Sequence, residues 1–318
     1  MLTLKQLGQW KDPNFGHRLA FAPDGRSWAA GENGSLALFR DAVFDRRFDL
    51  GAHAEDVRFS ADGRQLYAGP FTYDRARADF VDSGKPTSAM LTGLPGVSPA
   101  SYALTRAVTS PDGAEVVLAA RFLPPRKPGP RNAPNAPAGR LLLLQARSFE
   151  PIAVLMDGRP FDTLAVDDRH IAGVSGASIF VFDRKRRKPI AELTKQLGII
   201  GQLSFSPDGK YLASVSAGRD HLIVLWDTAT WSEARSWSGD DEGVAAVVFH
   251  PTRPLLLTGG YDHHVKVWSL ADGTLEESLA CSTRITGLAL SPSADRLAVA
   301  EDLPERLTLY QLKWPTRG

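Results

Sequence analysis

A short apolar strand, a Pro-Asp-Gly type turn and a second apolar strand recur along this chain at intervals of roughly 40 residues. That recurrence limits the folds open to the chain more than any other feature. The copies read LAFAPDGRSWAAG (Leu19–Gly31), VRFSADGRQLYAG (Val57–Gly69), AVTSPDGAEVVLAA (Ala107–Ala120) and LSFSPDGKYLASV (Leu203–Val215). Looser copies are VVFHPTRPLLLTG (Val247–Gly259) and LALSPSADRLAVA (Leu288–Ala300), and in TLAVDDRHIAGV (Thr163–Val174) the turn has shrunk. Anchored on Phe21, Phe59, Thr109, Val166, Phe205, Phe249 and Leu290, the intervals are 38, 50, 57, 39, 44 and 41 residues. Extra loop residues account for the two long ones.

Each part of the unit has a physical reason. Pro presets φ at the first corner, Asp bonds back to nearby backbone N–H groups, and Gly accepts the positive φ at the exit. The flanks alternate or run apolar and are rich in Val, Leu, Ala and Phe, with no helical spacing. A third segment ending in an aromatic follows, as in SLALFR (Ser35–Arg40), ASIFVFD (Ala177–Asp183), LIVLWD (Leu222–Asp227), VKVWS (Val265–Ser269) and ERLTLYQL (Glu305–Leu312). A more modest strand comes next, such as EARSWS (Glu233–Ser238), and is expected to open the following blade as its first strand. Four strands per copy and seven copies predict an all-β fold, a seven-bladed β-propeller of four-stranded antiparallel blades filling residues 1–318 as one domain.

On these residues the chain resembles the WD-repeat family. Trp226-Asp227 matches the family dipeptide and Trp268-Ser269 nearly does, each Trp preceded at six residues by an Asp, Asp220 and Asp262. The resemblance implies that this Asp, in the tight turn before the outer strand, joins a Ser/Thr, a His and the Trp in a network that locks one blade. The family's Gly-His element survives only as Gly51-Ala52-His53, and Gly239-Asp240 stands in its place before blade six. In the family the ring commonly closes through a sheet shared by the two chain ends. Here Leu2–Leu7 can serve as the first strand of blade one, which would close the ring blade against blade, and the sequence leaves both modes of closure open.

Two segments depart from the repeat. Arg121–Arg140 carries six prolines and five basic residues without an acid, which makes it a solvated loop, expected on the bottom face. RKRRK, Arg184 to Lys188, is expected to link blade four to blade five on the top face. Arg184, Lys185, Arg186, Arg187 and Lys188 are the candidate partner contacts, together with Trp231 as an aromatic anchor. Lying on opposite faces, the two basic segments do not form one nucleic-acid track.

The chemistry of catalysis is hard to find. There is no nucleophile elbow, P-loop or dinucleotide fingerprint, and the one close histidine pair, His263-His264, points apart on a strand or turn. The expected channel-wall strands carry mixed charge (Arg46, Arg47, Arg235, Glu192, Glu276, Glu277), which reads as ion pairing rather than a metal site. Cys281 is alone and expected to be a buried thiol, which fits a reducing compartment. With a net charge of +1, no signal-like N-terminus and no long apolar run, a cytoplasmic, monomeric chain off the membrane is expected. The expectation is therefore a non-catalytic scaffold or regulatory subunit that binds proteins and needs no cofactor. The alternatives are a nucleic-acid binder using the basic loops, or a hydrolase- or lactonase-like propeller with a site in the channel.

Overall fold

The computed structural model of this chain describes residues 2–11, 17–32, 34–50, 56–68, 71–80, 102–122, 139–218, 220–302 and 305–315. Its described residues form strands and no helix, arranged as seven four-stranded antiparallel sheets around a central axis. The architecture is the seven-bladed β-propeller that the repeat predicts.

From the axis outward, blade one is Arg18–Phe21, Ser27–Glu32, Ser35–Arg40 and Val43–Asp49. Blade two is Val57–Phe59, Gln65–Ala68, Phe71–Asp74 and Asp79–Phe80; blade three is Tyr102–Thr109, Glu115–Phe122, Gly139–Gln145 and Pro151–Asp157. Blade four comprises Thr163–Val166, His170–Ser175, Ser178–Asp183 and Lys188–Thr194. Blade five comprises Ile199–Phe205, Tyr211–Ala217, Leu222–Asp227 and Ser232–Ser238; blade six, Val244–Phe249, Leu255–Gly260, His264–Ser269 and Leu275–Ala280. Blade seven takes Ile285–Leu290, Arg296–Glu301 and Arg306–Lys313, and its outermost strand is Thr3–Lys11 from the other end of the sequence. All seven anchors of the repeat, from Phe21 to Leu290, are the last residues of innermost strands.

One expectation is corrected and one open alternative is resolved. The modest strand after each aromatic does not open the next blade; it pairs with the aromatic strand and forms the rim of the same sheet. Those strands are mostly exposed, and the strands with two covered faces lie inside them. Arg46, Arg47, Arg235, Glu192, Glu276 and Glu277 therefore sit on the rim, not on the channel wall. The ring also closes through a shared sheet, with Thr3 opposite Lys313 and Lys11 opposite Arg306 across one bulge. Leu2, Leu7 and Trp10 find apolar neighbours there, whereas a first strand of blade one would have left blade seven with an open edge.

Six of the seven apolar clusters among the described residues lie in the seams between blades, and one lies on a face of blade three alone. One cluster joins Leu257 and Val265 of blade six to Ile285 and Val299 of blade seven; another joins Leu141 and Leu143 of blade three to Ile171 and Phe182 of blade four. In the turns, Ser60, Ser110 and Ser206 each donate to an Asp two residues on (Asp62, Asp112, Asp208) and accept the N–H five residues on. Gly63, Gly113 and Gly209 hold φ of 67°, 68° and 68°, the left-handed corner that makes glycine the fitting residue there.

Removing residues 1–11 is expected to cost at least about 5 kcal/mol, since it uncovers several apolar side chains and a sheet edge. Calorimetry should show a large fall in Tm, and an unchanged Tm would contradict closure by this strand.

Candidate functional site

Connections that alternate in direction fall on two faces. The bottom carries the turns between first and second strands and between third and outer strands. The top carries the second-to-third connections and the crossings to the next blade. Because the repeat is displaced by one strand from the blade, each connection lies on the face opposite to the expected one. Arg184–Lys188 is a third-to-outer turn within blade four, on the bottom, and so is the turn carrying Trp231 in blade five. The Pro/Arg-rich segment connects second and third strands of blade three, and its residues 123–138 lie outside the described residues, as do Gly51, Ala52 and His53.

The bottom turns latch neighbouring blades. Arg184 is turned inward: its Nη2 donates to both Asp112 oxygens at 2.8 Å and its Nε to Glu115 at 2.6 Å, on the first turn of blade three. Burial works against the Asp112 charge, but Ser110 and Arg184 bring its pKa down to about 2. In blade two Arg75 reaches Asp24 and Ser27 of blade one in the same manner. Asp41 is held at about 2 by Arg26 and, across the last seam, by Arg296. Trp231, at φ 54° in its turn, meets the His170 ring edge-on with centroids 4.9 Å apart. Only Lys185 to Lys188 of the basic run present their side chains to solvent.

In blade five a Trp–Ser bond of the kind the resemblance implies is present, with an amide in place of the His and with Asp220 bonded elsewhere. Trp226 Nε1 donates to Ser214 Oγ (2.9 Å), which donates to Gln196 Oε1 (2.7 Å), so an amide stands where the resemblance implies a His. Gln196 Nε2 donates in turn to the Leu222 carbonyl. Asp220 accepts from Ser216 Oγ and from the N–H groups of Leu197 and Gly198, and these bonds outweigh burial to lower its pKa. In blade six Trp268 donates to Thr258 at 2.8 Å, while Asp262 pairs with Lys266 at 2.6 Å. Asp227 closes its own turn by accepting from Ala229 and Thr230.

The Asp220 bonds fix a top loop whose exposed side chains the sequence does not single out. Leu197 and Ile199 are 74% and 78% exposed, on either side of the restrained Gly198. A lone apolar residue in a loop is ordinary, so the signal lies only in the tie from Asp220, which sequence alone does not reveal.

The channel mouth is lined by His17, Arg18, Asp56, Arg106, Thr163 and Gln202 of the inner strands and their approaches. Burial pushes Asp56 above the usual carboxylate range against the pull of Arg58 and Arg18. No group of three His, Cys, Asp or Glu residues among the described ones is placed to hold a metal. Burial and the Glu301 charge push the Cys281 thiol up to about 12, which keeps it protonated and a poor nucleophile. No helix among the described residues is long and apolar enough to cross a membrane.

The family model described as WD domain, G-beta repeat matches residues 187–227 and 231–269. This β-propeller carries two WD repeats. The matched units start on a rim strand and end on the Trp strand of the next blade, which is the same one-strand displacement that moved the loops between faces. The WD-repeat protein is 28% identical over 176 residues to Protein groucho of Drosophila melanogaster, covering 54% of this chain and 22% of that one. It is 30% identical over 131 residues to Transducin-like enhancer protein 2 of Mus musculus, covering 41% and 17%. With p21-activated protein kinase-interacting protein 1-like of Xenopus laevis it shares 26% over 151 residues, 47% of this chain and 40% of the relative. The chain thus spans less than half the length of each of these relatives.

Two consequences can be measured. Arg184→Met is expected to lose about 2 kcal/mol because it strands two carboxylates, whereas K185A, R186A and K188A should stay within about 0.5 kcal/mol in denaturant unfolding. His250 makes the bottom face sensitive to pH below neutrality. Its Nδ1 accepts the N–H groups of Thr252 and Arg253, and burial together with Arg253 lowers its pKa from 6.5 to about 4. The unfolded chain therefore takes up the proton first. This contribution is complete above about pH 6.5 and is lost as pH falls toward 4. H250N, whose oxygen accepts without titrating, should flatten that fall by roughly 2 kcal/mol in urea midpoints compared between pH 7 and pH 4.

Proposed function

We propose that this protein is a non-catalytic interaction platform that recruits another protein through its top face. The observation that carries this reading is the exposed apolar pair Leu197, in a loop that Asp220 and Gln196 restrain, and Ile199, at the start of the strand that follows it. A preset loop loses little entropy on binding, and apolar side chains exposed in this way suit a protein surface rather than a small substrate. The Xenopus relative is named for interaction with a protein kinase, which supports the same class of role. A role in a multiprotein assembly and a reducing compartment such as the cytoplasm, consistent with the single cysteine, belong to this reading.

The exposed cations Lys185 to Lys188 offer a second contact on the bottom face, suited to an acidic partner, with Arg186 at 79% side-chain exposure. Arg184 and Trp231, engaged with blades three and four, serve the fold in this reading.

Leu197→Asp with Ile199→Asp is expected to abolish capture of a stoichiometric partner by the tagged chain while Tm stays within about 2 °C, as for other exposed substitutions. Capture that survives this change would overturn the top-face reading. Steeply salt-dependent RNA or DNA binding, lost with K185A/R186A/R187A/K188A, would replace it by the nucleic-acid alternative.

A further inference from the structure

The bottom face repeats one socket in several seams. In blades two, four and six, the first residue after the third strand donates its N–H to the carbonyl of the residue just before the second strand. Arg75 donates to Arg64, Arg184 to Arg169, and Leu270 to Pro254. These three residues are therefore structurally equivalent. Arg75 and Arg184 use that place to insert a guanidinium into the first turn of the preceding blade. Blade six puts Leu270 there, opposite the turn Ser206-Pro207-Asp208-Gly209 of blade five.

The acceptor side of the socket has nevertheless been kept. Ser206-Pro207-Asp208-Gly209 repeats Ser110-Pro111-Asp112-Gly113 residue for residue, and Ser206 holds Asp208 as Ser110 holds Asp112. Tyr211 occupies the place of Glu115: both donate their N–H to the serine five residues back. Between the two blades lies an open groove of about 410 Å³, lined by Asp208, Tyr211, Phe249, His250, Pro254 and Leu270 among others. Besides Ser206 Oγ and the Lys210 N–H, the Asp208 carboxylate pairs with the Lys210 ammonium of its own turn at 3.3 Å, with both side chains more than half exposed. Such a pair contributes little and yields readily to a bidentate donor.

We propose that the groove between blades five and six is a docking socket for an arginine side chain presented by a partner protein. The guanidinium takes the place that Arg184 takes between blades three and four, forking onto the Asp208 carboxylate. Its aliphatic stem lies along Leu270 and the Tyr211 and Phe249 rings, as amphipathic cations prefer. The inference rests on a different face from the Leu197/Ile199 reading, so either can fail alone.

The test follows the Leu270 methyl and Tyr211 ring resonances of the full chain during titration with the capped peptide Ac-Gly-Arg-Gly-NH2. Saturable shifts are expected, about tenfold weaker with the citrulline peptide that keeps the shape and drops the charge. They should be lost in D208N and strengthened in K210A, which removes the competing cation. Leu270→Arg supplies the missing group from within and is expected to raise Tm by about 2 °C while abolishing peptide binding. Equal shifts with the citrulline peptide, or shifts that persist in D208N, would overturn the proposal. So would L270R that binds the peptide as the parent does.

Discussion

Burial between neighbours is the constraint on which everything else in this molecule depends. A four-stranded blade has two broad faces and too few residues to cover either by itself. Six of the seven apolar clusters among the described residues accordingly run from blade to blade, and Leu2, at the start of the closing rim strand, belongs to the same cluster as Ile285 near the axis. Stability is then a property of the ring, and each seam must be kept shut at its ends, where water competes. On the bottom face that work falls to single side chains: Arg75, Arg184 and Trp231 in three seams, Arg296 and Trp314 in two others.

Much of this is legible in the sequence because the turn unit is local. Ser-Pro-Asp-Gly specifies its own hydrogen bonds, so Phe21, Phe59, Phe205 and Phe249 can be placed at strand ends without a partner in view. Blade count and strand count come from the same signal. The grouping of strands into sheets is harder to see, because pairing is non-local. A rim strand such as Ser232–Ser238 follows its Trp strand and precedes the next inner strand at similar distances, and nothing in its residues says which sheet will accept it. An error of one strand exchanges top for bottom throughout, which is why the sequence places Lys185 to Lys188 on the other face. The closing pair, Thr3–Lys11 with Arg306–Lys313, depends on the same choice.

The candidate sites divide along similar lines. Trp226 and Asp220 can be anticipated from the family-like run, while Ser214, which accepts the Trp226 N–H, lies outside it; Trp268 with Thr258 behaves as a simpler version. Arg184 reads as one cation among five. Its neighbours in space, Asp112 and Glu115, lie some seventy positions earlier in the chain, and no local pattern separates it from Lys185. Leu197 and Ile199 stay hidden for the opposite reason: apolar residues before and at the start of a strand look like buried strand until the Asp220 tie to Leu197 and Gly198 shows how the loop turns there.

The amide of Gln196 carries a consequence for the range of conditions this blade tolerates. An imidazole in that place changes its donor and acceptor pattern as it gains charge near neutrality. A carboxamide has one acceptor and two donors in acid and base alike, so Ser214 always finds its oxygen and Leu222 its N–H. The hydrogen-bond chain from Trp226 to Leu222 is thereby uncoupled from proton concentration near neutrality, whereas His250, one seam away on the opposite face, is not.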